Sequence, residues 1–309
     1  MSDAGLSPEV SAAGPFAGAA AVGTPAGAAA EGTVTRRLGW MFWLAVAWLV
    51  ILTLAAVLAP WLPIRDPDKS QIIPGQRAPY RPSLDLWFGS DANARDVFSR
   101  TIFGARVSLV VGFVAIAFGM LVGGTLGIIA GYFRGWADRI ISFVFVVVLS
   151  FPALVLAILI VSLVDRSLFT VSLTIGVLAV APVGRLARAT TIQYADREFV
   201  VAARTIGASH ARIIVRELLP NVVIPMGALA LLGMAVAIVA EGSLAFLGLS
   251  VAEGPTWGKV IVDGAGSRDL QNSPWVALSP IFVLFLTVVS LNYCGDRIRA
   301  YFDVKEISL

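Results

Sequence analysis

The chain has 309 residues, of which 58% are apolar and 14% charged; its formal net charge is +3 and its mean hydropathy +0.84. Soluble domains carry about 25% Asp, Glu, Lys and Arg, so this composition excludes a disordered chain and argues against a soluble globular enzyme, whose surface needs more polar groups. The basic residues form no stripe of the kind that binds nucleic acid.

Residues 1–37 form a segment dominated by Ala, Gly, Ser and Pro, with Asp3, Glu9 and Glu31 as the only charges before Arg36 and Arg37. It reads as a disordered cytoplasmic tail. Trp40 to Leu58 follows without a charge. An apolar run of about 18 or more residues crosses a hydrocarbon core of roughly 30 Å as a helix, so residues 38–62 read as the first transmembrane helix. The run is longer than the apolar core of a cleaved signal and leads into Pro60-Trp61-Leu62-Pro63, so it reads as an uncleaved anchor. Residues 63–105 are a proline-rich external loop, with Asp96 to Phe103 expected as an interfacial helix leading into the second span. Residues 106–300 then hold five more charge-free runs: Val107 to Ala130, Ile140 to Leu163, Leu168 to Gly184 (carried past Arg185 by Leu186 and Ala187), Leu218 to Ala240 and Asn272 to Gly295. Residues 301–309 are expected as a cytoplasmic tail. None of the runs alternates as a barrel strand does. The expectation is an all-α membrane protein of six transmembrane helices. Arg36 and Arg37, one Arg in the short external loop 164–167 and six between Arg185 and Arg216 place both termini in the cytoplasm by the positive-inside rule.

The cytoplasmic loop 185–219 is the patterned one. Asp196 to Gly207 reads as a short helix, with Asp196 as N-cap, Glu198 at the positive end and Gly207 in a left-handed C-terminal position. Val200, Ala203 and Ile206 or Gly207 are expected on one face. Two uses suit such a helix: packing on its own bundle, or seating in a cleft of a cytoplasmic partner. Elsewhere, Gly119, Gly123, Gly127 and Gly131 make a stripe for close helix packing, within the subunit in preference to between subunits. Pro152 and Pro225 are expected to kink their spans. Glu241 is the only charge between Leu218 and Ala252. An ionisable residue among apolar ones is a functional candidate, so Glu241, with Ser243 and Phe246 beyond it, is a candidate for the translocation path; the alternative is a hydrated, paired position near the external interface.

The loop resembles the EAA loop of ABC importer permeases, E-A-A, three residues, G, nine residues, I-x-L-P. Ala202, Ala203, Gly207, Leu219 and Pro220 stand in register, Val201 occupies the Glu position and Glu217 the Ile position. Glu198 to Ser209 is similar to the E-F/Y-V-x-A-A-R-x-x-G-A-S run of the peptide/nickel branch. Phe88-Gly89-Ser90-Asp91, Arg95-Asp96-Val97-Phe98-Ser99-Arg100 and Gly104-Ala105-Arg106-Val107-Ser108-Leu109 resemble its L-G-T-D-x-x-G-R-D-V-x-S-R and G-A-R-x-S-L signatures. Gly131-Tyr132 with Asp138, Leu149-Ser150-Phe151-Pro152, Ser243 to Leu249 with Pro255-Thr256-Trp257-Gly258, and Asn292, Gly295, Asp296 and Arg299 complete a likeness over roughly residues 38–303.

The resemblance implies the second permease of dipeptide/oligopeptide-type importers, with a type I (MetI-like) bundle in the bacterial cytoplasmic membrane. It implies a coupling helix for an ATPase groove, carried by Asp196, Glu198, Phe199, Ala202, Ala203, Arg204, Gly207 and Ala208, with Leu219 and Pro220 behind. The implied company is a second homologous permease, two cytoplasmic ATP-binding domains holding ATP and Mg, and an extracytoplasmic substrate-binding protein. This chain itself is expected to be non-catalytic and to bind no cofactor or metal. It lacks a P-loop, and its single His210 and single Cys294 make no His/Cys metal site. A carrier of nickel chelates or another small solute works the same way. An ion-coupled carrier is less supported, because only one ionisable residue falls within the runs.

Overall fold

The computed structural model describes residues 39–307, with side chains through Phe302; the segment 1–37 expected as a tail lies outside them. Helix α1 (Trp40–Trp61) is the first span. An irregular segment then leads to α2 (Val97–Phe133), α3 (Gly135–Ser150), α4 (Ala153–Ser162), α5 (Leu168–Ala195), the short α6 (Glu198–Thr205), α7 (His210–Phe246), the short α8 (Trp257–Gly264) and α9 (Ser267–Asn272), and the long α10 (Trp275–Ile307). Among the described residues the only β pairing is two isolated bridges, Ser70 with Arg95 and Ser90 with Asp96. Among the described residues five helices are long and apolar enough to cross a membrane, and α3 with α4 makes a sixth span when counted together.

Four boundaries differ from the reading of the sequence. Asp96 to Phe103 is no separate interfacial helix. Asp96 caps α2, its carboxylate accepting from the amides of Phe98 and Ser99 at 3.3 and 3.2 Å, and the helix then runs unbroken into the span. The run Ile140 to Leu163 is two helices inclined at 86°. Phe151 is extended (φ −86°, ψ 137°), as the ring of Pro152 requires of its predecessor. Pro225, by contrast, lies inside the uninterrupted α7. The loop 185–219 shrinks to a dozen or so residues, because α5 continues to Ala195 and α7 starts at His210. A charge ends an apolar run but need not end a helix, and Arg188 stays in α5 by pairing with Asp138 of α3 through both Nε and Nη2, the latter at 2.7 Å. Lastly, α10 continues through residues read as the C-terminal tail, to Ile307.

The bundle closes around α2 and α5. A Cβ on Gly119 would lie 2.8 Å from Ala179 Cβ, one on Gly127 2.7 Å from Ala187 Cβ, and one on Gly131 2.8 Å from the Arg188 carbonyl; Gly123 faces the Val180 carbonyl more closely still. The glycine stripe therefore packs within the subunit, letting two backbones touch. Beside it, Val111 and Ala115 of α2, Val171 and Ile175 of α5, Val161 of α4 and Leu244 of α7 form a buried core. Helix α1 leans on α2 and α10 through Leu52 and Ala56, with Trp48 Nε1 donating to Thr287 Oγ1 at 3.2 Å. Its other face leaves Trp40, Trp43 and Ile51 more than 60% exposed, a surface that lipid accepts and water would not. Gly127→Ala should cost about 1–3 kcal/mol through overpacking and lower the melting temperature of the purified protein. Gly227→Ala, where nothing lies within 4 Å of the new methyl, should not lower it and should raise it slightly, since Ala loses less backbone entropy in a helix.

Candidate functional site

The α5–α7 connection carries α6 and turns it into a platform. The backbone leaves α5 at Asp196, and Arg197 (φ −72°, ψ 152°) is the N-cap residue without a side-chain bond to the helix. Asp196 was expected in that place. It instead accepts from Arg134 Nη2 at 2.6 Å, tying the connection to the α2–α3 turn, where Arg134 itself has φ 54°. Both partners are largely exposed, so the pair adds no more than about 1 kcal/mol.

The inward face of α6 does more. Val200 has no exposed surface and sits among Tyr132, Ala195, Ile213 and Leu218, with Ala203 and Ala208 at the edge. The helix ends in a Schellman turn: the Gly207 amide donates to Arg204 O at 3.0 Å and the Ala208 amide to Ala203 O at 3.0 Å. Gly207 has φ 81°, the left-handed conformation this turn needs. Tyr132, at the end of α2, is the shared anchor. Its hydroxyl lies 2.8 Å from His210 Nδ1, and the Arg204 guanidinium stacks over its ring at 5.8 Å.

The other face is left open. Ile206 is 82% exposed and Val201 50%, so Ile206 does not share the face of Val200 and Ala203 that the spacing suggested. Asp196, Glu198, Val201, Ala202, Thr205 and Ile206 line a shallow concavity of about 450 Å³. Phe199 is 39% exposed beside it. Leu219 and Pro220 belong to α7 and do not line it: Leu219 packs toward Val222 and Met226, and Pro220 follows a wide π turn at Ile213–Leu218 that absorbs its missing amide.

The three candidates for a path do not converge. Glu241 is completely buried near the end of α7, Phe246 is 62% exposed, and Ser243 donates to its own helix at Val239 O, 3.1 Å away. Glu241 accepts instead from Ser108 and Ser250. Sequence reasoning assigned no role to Ser108, Ser250 or Thr256, although each stands in or beside a quoted signature.

Comparison with known proteins agrees with this architecture. Residues 123–306 match the family described as the binding-protein-dependent transport system inner membrane component. The dipeptide transport system permease protein DppC of Alkalihalophilus pseudofirmus is 39% identical over 85% of this chain and 86% of that protein. The glutathione transport system permease protein GsiD of Pectobacterium atrosepticum is 34% identical over 72% and 74%. An inward-facing crystal structure of the MetNI methionine ABC transporter superposes with a TM-score of 0.53 at 18% identity, covering 66% of this chain and 97% of that one; it shares the fold.

A β-branched residue at position 207 should unpin α6. A residue other than Gly in the left-handed region costs about 1–2 kcal/mol, so in Gly207→Val amide hydrogen exchange across 198–208 should rise about 5–30-fold while the spans keep their protection.

Proposed function

The chain belongs to the inner membrane components of binding-protein-dependent transport systems, and on that premise we propose that it is the second permease subunit of an ATP-driven importer of small peptides. It is a multi-pass protein of the bacterial inner membrane and a non-catalytic subunit; its family works with substrate-binding and ATP-hydrolysing partners. The observation that carries the proposal is α6. A helix of eight residues buries Val200 against its own bundle and turns Val201, Ala202 and Ile206 outward between two carboxylates. The helix as a whole is the knob that a partner's cleft would seat, and its outward face, apolar at the centre and charged at the rim, carries only a shallow hollow.

In this reading, two cytoplasmic ATP-binding domains hold ATP and Mg, one seats α6, and a second homologous permease completes the pore. An extracytoplasmic binding protein delivers the cargo. Peptide cargo is supported by the two relatives above, named for a dipeptide and for glutathione, itself a tripeptide. A nickel chelate or another small solute would use the same machinery.

The chain's own part is mechanical. Push α6, and Val200, Tyr132 and the Asp196–Arg134 pair pass the load to α2, while the peptide chain itself passes it to α5 and α7. The glycine contacts make α2 and α5 one body, so the response is a rigid-body movement. The bend at Phe151-Pro152 leaves α3 and α4 joined by two residues.

Uptake of a dipeptide by the reconstituted complex should require ATP and persist when an uncoupler collapses the proton gradient. Uptake that follows the gradient and ignores ATP would establish an ion-coupled carrier instead. In the same vesicles Gly207→Asp should let ATP hydrolysis continue while uptake falls, because it disturbs the turn that ends α6 and places a third carboxylate next to the knob.

A further inference from the structure

A second polar assembly lies at the other end of α2, and neither the knob nor the cargo reading uses it. Glu241 is its hub. Ser250 Oγ donates to Glu241 Oε1, Ser108 Oγ donates to Oε2 at 3.4 Å, and the Thr256 hydroxyl faces the same carboxylate. Two of these hydroxyls have a second task. Ser108 Oγ accepts from the Trp257 amide at 3.2 Å, and Thr256 Oγ1 accepts from the Lys259 amide at 3.1 Å, so both hold the first turn of α8. Trp257, with no exposed surface, donates from Nε1 to Thr101 O of α2 at 3.0 Å. Lys259 Nζ closes the preceding loop by donating to Ala252 O and Gly254 O, both at 3.0 Å.

The assembly continues at the mouth of α2. Arg100, 4% exposed, bridges Asp91 at 2.6 Å and Asp263 of α8 at 3.0 Å; Arg95 bridges the same two carboxylates at 2.8 and 3.1 Å. Residues 91–108 therefore meet the end of α7 and residues 250–263, both distant from them in sequence, through charged and hydroxyl groups.

An apolar residue would fill the place of Glu241 at less cost, since a buried carboxylate costs several kcal/mol unless donors surround it. What the carboxylate supplies is direction: it aims several hydroxyls from separate elements at one point. The segment it holds needs holding. Helix α8 has eight residues, and the loop before it turns at Gly248 and Gly254, both at positive φ.

We propose that Glu241 is a positioning residue that clamps the segment 247–264 to α2 and α7, so that this external element moves as one body with the spans whose other ends carry α6. The clamp itself stands on geometry alone; its consequence for transport rests on the importer reading.

The test uses the whole transporter in nanodiscs, with Cys294 replaced by Ala and spin labels on cysteines at Arg106 of α2 and Val262 of α8. Dipolar spectroscopy should give one narrow distance, equal in the nucleotide-free and ATP-trapped states. Glu241→Ala should broaden it, Glu241→Gln, which keeps the shape and one acceptor, should restore it, and Ser250→Ala should broaden it partially. In the unlabelled Glu241→Ala complex the maximal uptake rate per ATP hydrolysed should fall about 2–30-fold, the range of coupling changes made by mutations outside ligand sites. A narrow, unchanged distance in Glu241→Ala and Ser250→Ala overturns the clamp, and a distance that changes between the two nucleotide states in the parent overturns the single-body claim. A broadened distance with normal uptake overturns the role in transport. If Glu241→Ala does not assemble, Ser250→Ala and Thr256→Ala decide on the same readouts. A parent complex without ATP-dependent uptake defeats the importer reading, and the distances still judge the clamp.

Discussion

Everything in this subunit hangs on how closely α2 and α5 approach. Four glycines at every fourth position remove the side chains that would hold the helices apart, and backbone atoms of one helix rest on the other. In lipid there is no hydrophobic drive to press helices together, so association relies on close van der Waals contact and on polar groups that find partners. The stripe supplies the contact over the half of α2 nearer α6. The remaining helices are arranged around that seam: α3 is tied to it by the Asp138–Arg188 pair, and α7 packs against both of its members.

The few charges are spent at the two ends of this seam. At one end Tyr132 and Arg134 hold α6 and its connection. At the other, Asp91, Arg95, Arg100 and Asp263 hold the entry to α2, and Glu241 gathers hydroxyls from α2 and the segment before α8. A rigid middle with polar fixtures at both ends suits a subunit worked by partners. Tyr132 and Val200 give α6 a short route into α2, and hydrogen bonds that Thr101 and Ser108 accept join the far end of α2 to α8.

Reading the sequence located both ends and explained only one. The helix at 198–205 was legible because its signals are local: an acidic first turn, small residues inside and a glycine where φ must be positive. Its N-cap was misassigned, because Asp196 has a competing partner 62 residues away in Arg134. Spacing left Ile206 or Gly207 to share the face of Val200 and Ala203, and Ile206 turns outward instead, because helical spacing names a face without saying what lies opposite. Glu241 stood out as a lone charge, yet its partner Ser108 is 133 residues distant, and nothing in the spacing joins the two.

The sequence by itself determined the class, the apolar spans and the membrane location, since a backbone in hydrocarbon must satisfy its hydrogen bonds within the helix and run length therefore sets the number of crossings. It also determined that the glycine stripe packs closely. Only the tertiary structure decided where the helices stop, that Pro152 breaks its span while Pro225 does not, which face of α6 is free and what Glu241 holds. Most of those outcomes rest on contacts between segments far apart in the chain, and such contacts exist only once the spans have packed.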